Sequence, residues 1–428
     1  MSKVVQRRWT GDGSGPTRRD RLGCDYQSYV PDELQGRAFV LDGDVAADIA
    51  EAEAAILRLN ANATALTNTE ALARILLRAE AVASSRIEGL EVGARRLLHE
   101  EVSRETEGKS ADVTASEVLS NIDAMAFAVN AIRAGDRITL DVVLDTHRLL
   151  LAHTRLSHHG GLLRGEQNWI GGSSYNPCSA AFVPPPENLV LPLMEDLVAF
   201  CNDDGLPPVA QAAIVHAQFE TIHPFVDGNG RTGRALMHIA LRRRGLAEKV
   251  LTPVSLVLAT WSKAYVNALT EYRYSGAADS ADARRGVNAW ISQFSTACTR
   301  ACADAESFER RASEIQAEWR RRIGSIRRNS AADLLLKALP GAPVLTVSGA
   351  ASLIGRTFPA ANNAISTLTA VDVLRQVTVG KRNRAYEAPD IIAAFTDLER
   401  QLASPEGSSL SSLPSRPVPQ RPGSAEGA

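Results

Sequence analysis

Long apolar runs are what this 428-residue chain most conspicuously lacks. Nothing in it approaches the eighteen or so uninterrupted apolar residues of a membrane-spanning helix, and residues 1–21 have no apolar segment of the kind a secretory signal carries. A membrane protein is not expected, and the expected address is the cytoplasm. A dominant charge is missing too, because 47 Lys and Arg face 49 Asp and Glu for a formal net charge of -2. No global field draws the chain to nucleic acid or lipid, so any such binding has to be local. Cysteine is sparse: Cys24, Cys178, Cys201, Cys298 and Cys302 are odd in number, scattered and without paired metal spacing. They read as free thiols, with Cys178 incidental to function. Aromatics make up only 5% of the chain, yet hydrophobic residues reach 45%, enough for a substantial core spread over two or three compact units.

Texture along the chain suggests where those units lie. Residues 1–22 are polar and carry Gly11, Gly13, Gly15 and Pro16 among several arginines, which predicts a disordered arm. From Asp44 to Glu107, Ala, Leu, Glu and Arg recur at helical spacing and predict an antiparallel helix pair within an N-terminal helical region, 23–110. Helical patterns then run through 111–322, with Thr114 and Thr139 as expected caps. The interruption is His158 to Pro186, where glycines and three successive prolines surround two short apolar pieces, Trp169-Ile170 and Ala180 to Val183. That stretch predicts a small hairpin, the only β content expected of the body. Residues 330–402 alternate short helices and strands, and 403–428 are rich in Ser, Pro and Gly, predicting a disordered tail.

Chemistry concentrates in His223-Pro-Phe-Val-Asp-Gly-Asn-Gly-Arg-Thr-Gly-Arg234. Gly228, Asn229 and Gly230 form a loop between two helical stretches, so backbone N–H groups can curl inward where the next helix presents its positive end. Arg231 and Arg234, three apart, put two planar cationic forks on one helix face, suited to phosphate oxygens. Asp227 supplies one hard carboxylate, the kind of single ligand Mg²⁺ takes when phosphates fill its other positions. An imidazole at His223 can take a proton from an incoming hydroxyl near neutral pH. The embedded pattern Gly228-x-Gly230-x-x-Gly233 also matches a dinucleotide-binding fingerprint, but that loop should follow a buried strand, and Pro208 to Ile222 is long, Ala-rich and helical.

The twelve residues satisfy the Fic motif H-x-F-x-D/E-G-N-G-R-x-x-R at every fixed position, and roughly residues 35 to 300 resemble that family. The resemblance implies a mainly α fold: a Fic-type helical bundle with a small β-hairpin flap. It implies a protein adenylyltransferase that moves AMP from ATP to a Ser, Thr or Tyr hydroxyl of a target protein, itself included, with Mg²⁺ and ATP bound. By carry-over, His223 is the general base, Asp227 the metal ligand, Gly228, Asn229 and Gly230 the α-phosphate cradle, and Arg231 and Arg234 the grip on the β- and γ-phosphates. Tyr265 would line the adenine side, and Trp169, Ile170 and Gly171 would form the flap with which a target segment pairs. Ser84-Ser-Arg-Ile-Glu88-Gly89 resembles the family's inhibitory signature, in which Glu88 pairs with Arg234 and occupies the place of a γ-phosphate. The same carboxylate could position a water, so removal of AMP stays open beside its addition.

Beyond the core, 330–402 looks like a winged helix, an α+β module. Its third helix, Pro359 to Ala370, has no Lys or Arg, leaving Asn362, Asn363, Ser366 and Thr367. Arg375, Lys381, Arg382 and Arg384 in the wing could touch phosphates, so weak DNA binding, target docking and a homodimer all remain open. The rival function is a winged-helix DNA-binding regulator that uses the Fic core as a nucleotide sensor.

Overall fold

The computed structural model describes residues 1–402 apart from 12, 14, 66–68, 109–111 and 380–382. The expected tail at 403–428, and the wing residues Lys381 and Arg382, therefore lie outside the described residues. The chain runs β1 (Lys3–Trp9), α1 (Arg18–Arg21), β2 (Cys24–Val30), α2 (Gly43–Ala65), α3 (Thr69–Ile87), α4 (Ala94–Glu107), α5 (Val113–Ala131), α6 (Leu140–Leu151), α7 (Val190–Cys201), α8 (Pro208–Ile222), α9 (Asn229–Arg243), α10 (Val254–Thr260), α11 (Ser262–Tyr272) and α12 (Ala281–Ile323). It finishes with α13 (Ala331–Ala338), β3 (Val344–Leu345), α14 (Val347–Ile354), α15 (Phe358–Ala370), β4 (Arg375–Val379), β5 (Asn383–Glu387) and α16 (Pro389–Leu402). The architecture is mainly α, and among the described residues no helix is long and apolar enough to cross a membrane.

Helix α8 is the axis of the body, buried from Val209 to Ile222 and packed against α9, α7 and α12. A helix buried all round has to be enclosed by others, and α8 is closed on one side by Trp290 of α12, whose indole N–H donates to the Ala213 carbonyl at 2.7 Å. The same α12, 43 residues and hence about 65 Å long, runs from α2 at one end to the C-terminal module at the other. There Trp319 donates to Asp390 of α16 at 2.9 Å. Within that module β3, β5 and β4 form an antiparallel sheet in that order beside α13, α14 and α15. The buried Glu387 of β5 ties it to α4, accepting from Arg95 and His99 as well as from Arg375 of β4. Burial opposes the charge on Glu387, but these donors outweigh it and keep its carboxyl below the usual range.

Several expectations are corrected. Residues 1–22 are no loose arm, since β1 pairs antiparallel with β2 along seven residue pairs, Lys3 opposite Val30 through Trp9 opposite Cys24. Asp44 to Glu107 holds three helices instead of two, because Gly89 at φ +82° ends α3. The cap of α5 is Asp112, which accepts from the Ala115 amide at 3.2 Å, and not Thr114; Thr139 does cap α6. The hairpin of the flap shrinks to a single bridge between Ile170 and Phe182, so β1–β2 carries most of the body's β structure.

The cysteine reading also fails at one pair. Cys24 of β2 and Cys178 of the flap form a disulfide across a separation of 154 residues, while Cys201, Cys298 and Cys302 are free and buried. It joins a set of contacts that bind the hairpin to the flap: Arg7 with Glu187, Trp9 edge-on to Trp169, Ser28 and Tyr29 donating to Pro184 and Val183, and Ser173 donating to Asp20. Closing a loop of this size stabilises a fold by about 3–5 kcal/mol in the chain-entropy account. Cys24→Ser is expected to lower the melting temperature and to remove the melting shift that reductant causes in the unaltered chain. A thiol titration of unreduced, denatured protein that finds five free thiols instead of three would contradict the bond.

Candidate functional site

At the end of α8 the chain turns on His223, whose backbone adopts a left-handed conformation with φ +49° and ψ +61°. For a residue with a side chain this conformation costs about 1–2 kcal/mol and persists only when surrounding groups impose it. Here they do. Its carbonyl accepts from Arg164 Nε at 2.9 Å and from Asn168 Nδ2 at 3.2 Å. Arg164 is 4% exposed and reaches the last carbonyls of α8 and Pro185 of the flap, so one guanidinium caps the helix and anchors the flap together.

The loop that follows is held from inside. Phe225 is buried, and its backbone N–H and C=O are both taken by the Asn229 side chain, each at 2.8 Å. His147 of α6 stacks on the Phe225 ring with centroids 3.6 Å apart, and its Nε2 lies 3.0 Å from the Asp227 carbonyl. Its Nδ1 accepts from the Gly161 amide at 3.0 Å, which fixes Nε2 as the protonated nitrogen. Burial pushes the His147 pKa down to about 4, so this neutral tautomer is the stable one. Gly228 opens α9 at φ +77°, and a Cβ there would lie 2.8 Å from Leu150, so only glycine suits the position. The first-turn N–H groups of α9 have no intrahelical acceptor and face the loop's concave side.

Arg231 and Arg234 stand on that first turn, both buried, at 3% and 1% exposure. Arg231 touches Asp227 at 3.3 Å, but its Nε and Nη1 are buried without an acceptor. Arg234 is engaged on two nitrogens: Nε donates to Ser84 Oγ at 2.9 Å, and Nη2 donates to the Ser84 carbonyl at 2.8 Å and to Glu88 Oε1 at 2.7 Å. Glu88, at the end of α3, thus comes from 146 residues away in sequence to sit directly over the loop. A Cβ on Gly230 would fall 1.9 Å from its carboxylate, so the absence of a side chain there is what lets Glu88 approach. Burial works against the charge of Arg234, but Glu88, Tyr265 and Glu220 nearby more than compensate and raise its pKa.

His223, Asp227, Gly228, Asn229, Gly230, Arg231, Arg234 and Glu88 are therefore brought together. The Asn229 amide also holds the loop: its Oδ1 and one Nδ2 hydrogen engage the Phe225 backbone, while the second Nδ2 hydrogen and the backbone N–H remain. Trp169, Ile170 and Gly171 lie in the flap, which joins the site through Asn168 and Arg164. Tyr265 is not at an open surface. It is 3% exposed, its hydroxyl lies 2.8 Å from His216 Nε2, and its ring packs beside Trp290, so it supports α8 from behind. His216 has this partner and no metal neighbours; among the described residues no group of three His, Cys, Asp or Glu could hold a metal by itself. Nothing local in the sequence marks His147, Arg164 and Asn168 as supports of this loop, because their contacts to it cross 55 to 80 residues.

Residues 137–241 match the Fic/DOC family, and residues 46–130 match the Fic/DOC family N-terminal region. Over these two stretches the chain resembles the Fic/DOC family. It is 37% identical over 143 residues to protein adenylyltransferase Fic of Drosophila grimshawi, covering 32% of this chain and 27% of that protein. To protein adenylyltransferase fic-1 of Caenorhabditis elegans it is 30% identical over 141 residues, 32% of this chain and 26% of that one. The match thus spans about a quarter of the length of these curated relatives. A Fic family protein from Desulfovibrio desulfuricans G20 shares the fold with a TM-score of 0.50 at 20% identity, covering 82% of this chain and 97% of that chain.

What holds Glu88 over the Fic loop is the docking of α3. Glu80, two turns before Glu88, is fully buried and bonded to His238 Nε2 at 2.8 Å, the Ser255 amide at 2.8 Å and Ser255 Oγ at 2.5 Å. One carboxylate therefore pins α3 to both α9 and α10. Glu80→Ala leaves three buried groups without a partner and is expected to destabilise the fold by about 3 kcal/mol. Denaturant unfolding checks this, and a loss below about 1 kcal/mol would show that the cluster is not what docks α3.

Proposed function

We propose that this chain is an autoinhibited protein adenylyltransferase that transfers AMP from ATP to a hydroxyl side chain of a target protein, itself included. The observation that carries the proposal is the unequal state of two buried arginines one turn apart. Arg231 keeps two guanidinium nitrogens without an acceptor, whereas Arg234 has Nε and Nη2 engaged by Ser84 and by a carboxylate. A buried guanidinium with unpaired donors favours an anion of matching geometry, and a triphosphate presents several. Glu88 stands where one of those anionic groups would lie.

In this reading, first-turn N–H groups of α9 receive the α-phosphate, and Arg231 and Arg234 receive the phosphates beyond it. His223 takes the proton of the incoming hydroxyl, the freed oxygen attacks the α-phosphorus, and pyrophosphate leaves. Asp227 fits a metal role, because its carboxylate is 48% exposed beside Arg231. A hard cation that draws its remaining ligands from phosphate and water suits such a donor. Mg²⁺ bound there would neutralise charge on the phosphates. The flap, tied to the His223 carbonyl through Asn168 and Arg164, would offer its Trp169–Gly171 edge to an extended target segment. Glu88 could also position a water, which would make AMP removal a second activity of the same site.

The DNA-binding alternative for 330–402 draws less support. The exposed face of α15 offers Asn362, Asn363, Ser366 and Thr367, and the two hydroxyls already bond carbonyls of their own helix. Arg375 is engaged with Glu387, leaving Arg384 as an exposed wing cation among the described residues. A docking role for the module, onto a target or a second copy of the chain, suits that uncharged face better.

With α-labelled ATP, Glu88→Gly is expected to raise self-labelling by at least about tenfold, the smallest change expected from freeing one charge-assisted phosphate contact of about 1.5 kcal/mol. His223→Ala in that background should abolish the label while leaving ATP binding intact. Label that persists without His223 would end the nucleotidyl-transfer reading.

A further inference from the structure

Behind the His223 ring lies a carboxylate that the reaction above does not use. Glu220, three residues earlier on α8, is 7% exposed, and its Oε2 is 3.6 Å from His223 Nδ1. His223 is its ion-pair partner among the described residues; Glu220 Oε1 and His223 Nδ1 are both buried with no hydrogen-bond partner. A buried anion placed this close to a ring nitrogen needs a function or a strong structural reason, since leaving either group unpaired costs free energy.

The local backbone explains how the two groups meet. Residues three apart on a helix share a face, and although the backbone at His223 leaves α8 in a left-handed conformation, the ring's Nδ1 still lies beside the carboxylate of residue 220. That strained conformation is imposed by Arg164 and Asn168 on the His223 carbonyl, so two further side chains serve to keep the ring where Glu220 reaches it. The carboxylate has no freedom to turn elsewhere. A Cβ on Gly233 of α9 would lie 2.8 Å from Phe219, 3.1 Å from Glu220 Oε1 and 3.3 Å from His216 Nδ1, so the glycine is what makes room for it.

We propose that Glu220 is a positioning residue for His223: it holds the proton on Nδ1, leaves the Nε2 lone pair to the incoming hydroxyl, and balances the imidazolium once that proton has moved. This rests on the nucleotidyl-transfer reading of the site. In the step, the hydroxyl proton goes to Nε2, Nδ1 keeps its own, and Glu220 remains ionised throughout, so charge changes on the ring alone. Burial opposes the charge on Glu220, but His223, His216 and Arg234 outweigh it and hold the carboxyl down at about 2. Other charges face the same pocket from each packed element. Arg234 comes from α9, Glu88 from α3 through Arg234, and Arg273 from the residue after α11, where it stacks 3.6 Å over the Phe182 ring of the flap. His216 stands beside Glu220 on α8, its own pKa pushed down to about 4 by burial.

The test is made on the full chain carrying Glu88→Gly, with and without Glu220→Gln. Nitrogen-15 spectroscopy of the histidine rings reads the His223 tautomer and its titration, and initial-rate kinetics with ATP read turnover. The Nδ1-protonated tautomer is expected in the parent, and Glu220→Gln should move the His223 titration to lower pH. Turnover should fall roughly 100-fold, the order of a compromised general base, with KM for ATP changed less than about twofold. An Nε2-protonated His223 in the parent, or a titration unmoved by Glu220→Gln, overturns the proposal. Should Glu220→Gln not fold, the tautomer in the parent decides the question alone. If the Nδ1 tautomer and the titration shift are both found but neither protein transfers label, the dyad stands and the adenylyltransferase reading falls.

Discussion

A guanidinium sealed from water has to find an anion or an equivalent set of acceptors, and in this protein Arg234 finds them on the N-terminal part of the same chain. With 1% exposure it cannot fall back on solvent, so Ser84 and Glu88 take its Nε and Nη2. In the proposed reading, the requirement that would make Arg234 a phosphate ligand is the one that makes it an anchor for α3. Inhibition and binding would then be two ways of meeting a single electrostatic demand, and exchanging one anion for another at Arg234 changes the energy far less than removing the anion would. The balance lies in what else each occupant gains.

For Glu88 that balance is set by where it stands on α3. Eight residues earlier Glu80 is locked to α9 and α10, and between them Ser85 and the Ala81 carbonyl are held by Asn121 of α5. Past Glu88 the helix stops at Gly89, whose φ of +82° ends the last turn. Glu88 is 38% exposed, whereas Glu80 is fully buried. Helix α3 is thus fixed along its length and loosest at its tip, so a competing anion has to displace one carboxylate and fray one turn instead of undocking a helix. In the proposed reading, a shift of populations at the tip, governed by relative affinity for the two states, would suffice for regulation.

The parts legible in the sequence were those whose physics is local. His223 to Arg234 puts ring, carboxylate, glycine loop and two arginines in one contiguous stretch, and Glu88 became readable once that stretch named its partner. Helix spans were legible wherever apolar periodicity ran unbroken, and the caps mostly followed. Hidden were the features that depend on distant contact. Residues 1–22 look polar because β1 and β2 pack against the flap and not into the core, so half of their side chains stay in water. The bond between Cys24 and Cys178 depends on a juxtaposition across 154 residues, and no spacing rule reveals it. The hold of the Asn229 amide on the buried Phe225 backbone was hidden as well, because the fold of the loop and not the residue type puts the two together.

The flap shows why those hidden contacts matter. One bridge, Ile170 with Phe182, cannot hold a strand in register, because an isolated pair with little apolar burial is marginal in water. Its shape is borrowed from outside. Arg164 and Asn168 fasten one arm to the end of α8, while the β1–β2 hairpin fastens the other through Val183, Pro184 and the disulfide. Arg273 adds a third hold, stacked on Phe182 with Nε 3.4 Å from Thr221 of α8. Two of these supports, Arg164 and Asn168, are the residues that force His223 into its left-handed turn. The edge that would receive a target segment and the imidazole that would receive its proton are thus set by the same two side chains, so a change in one displaces both.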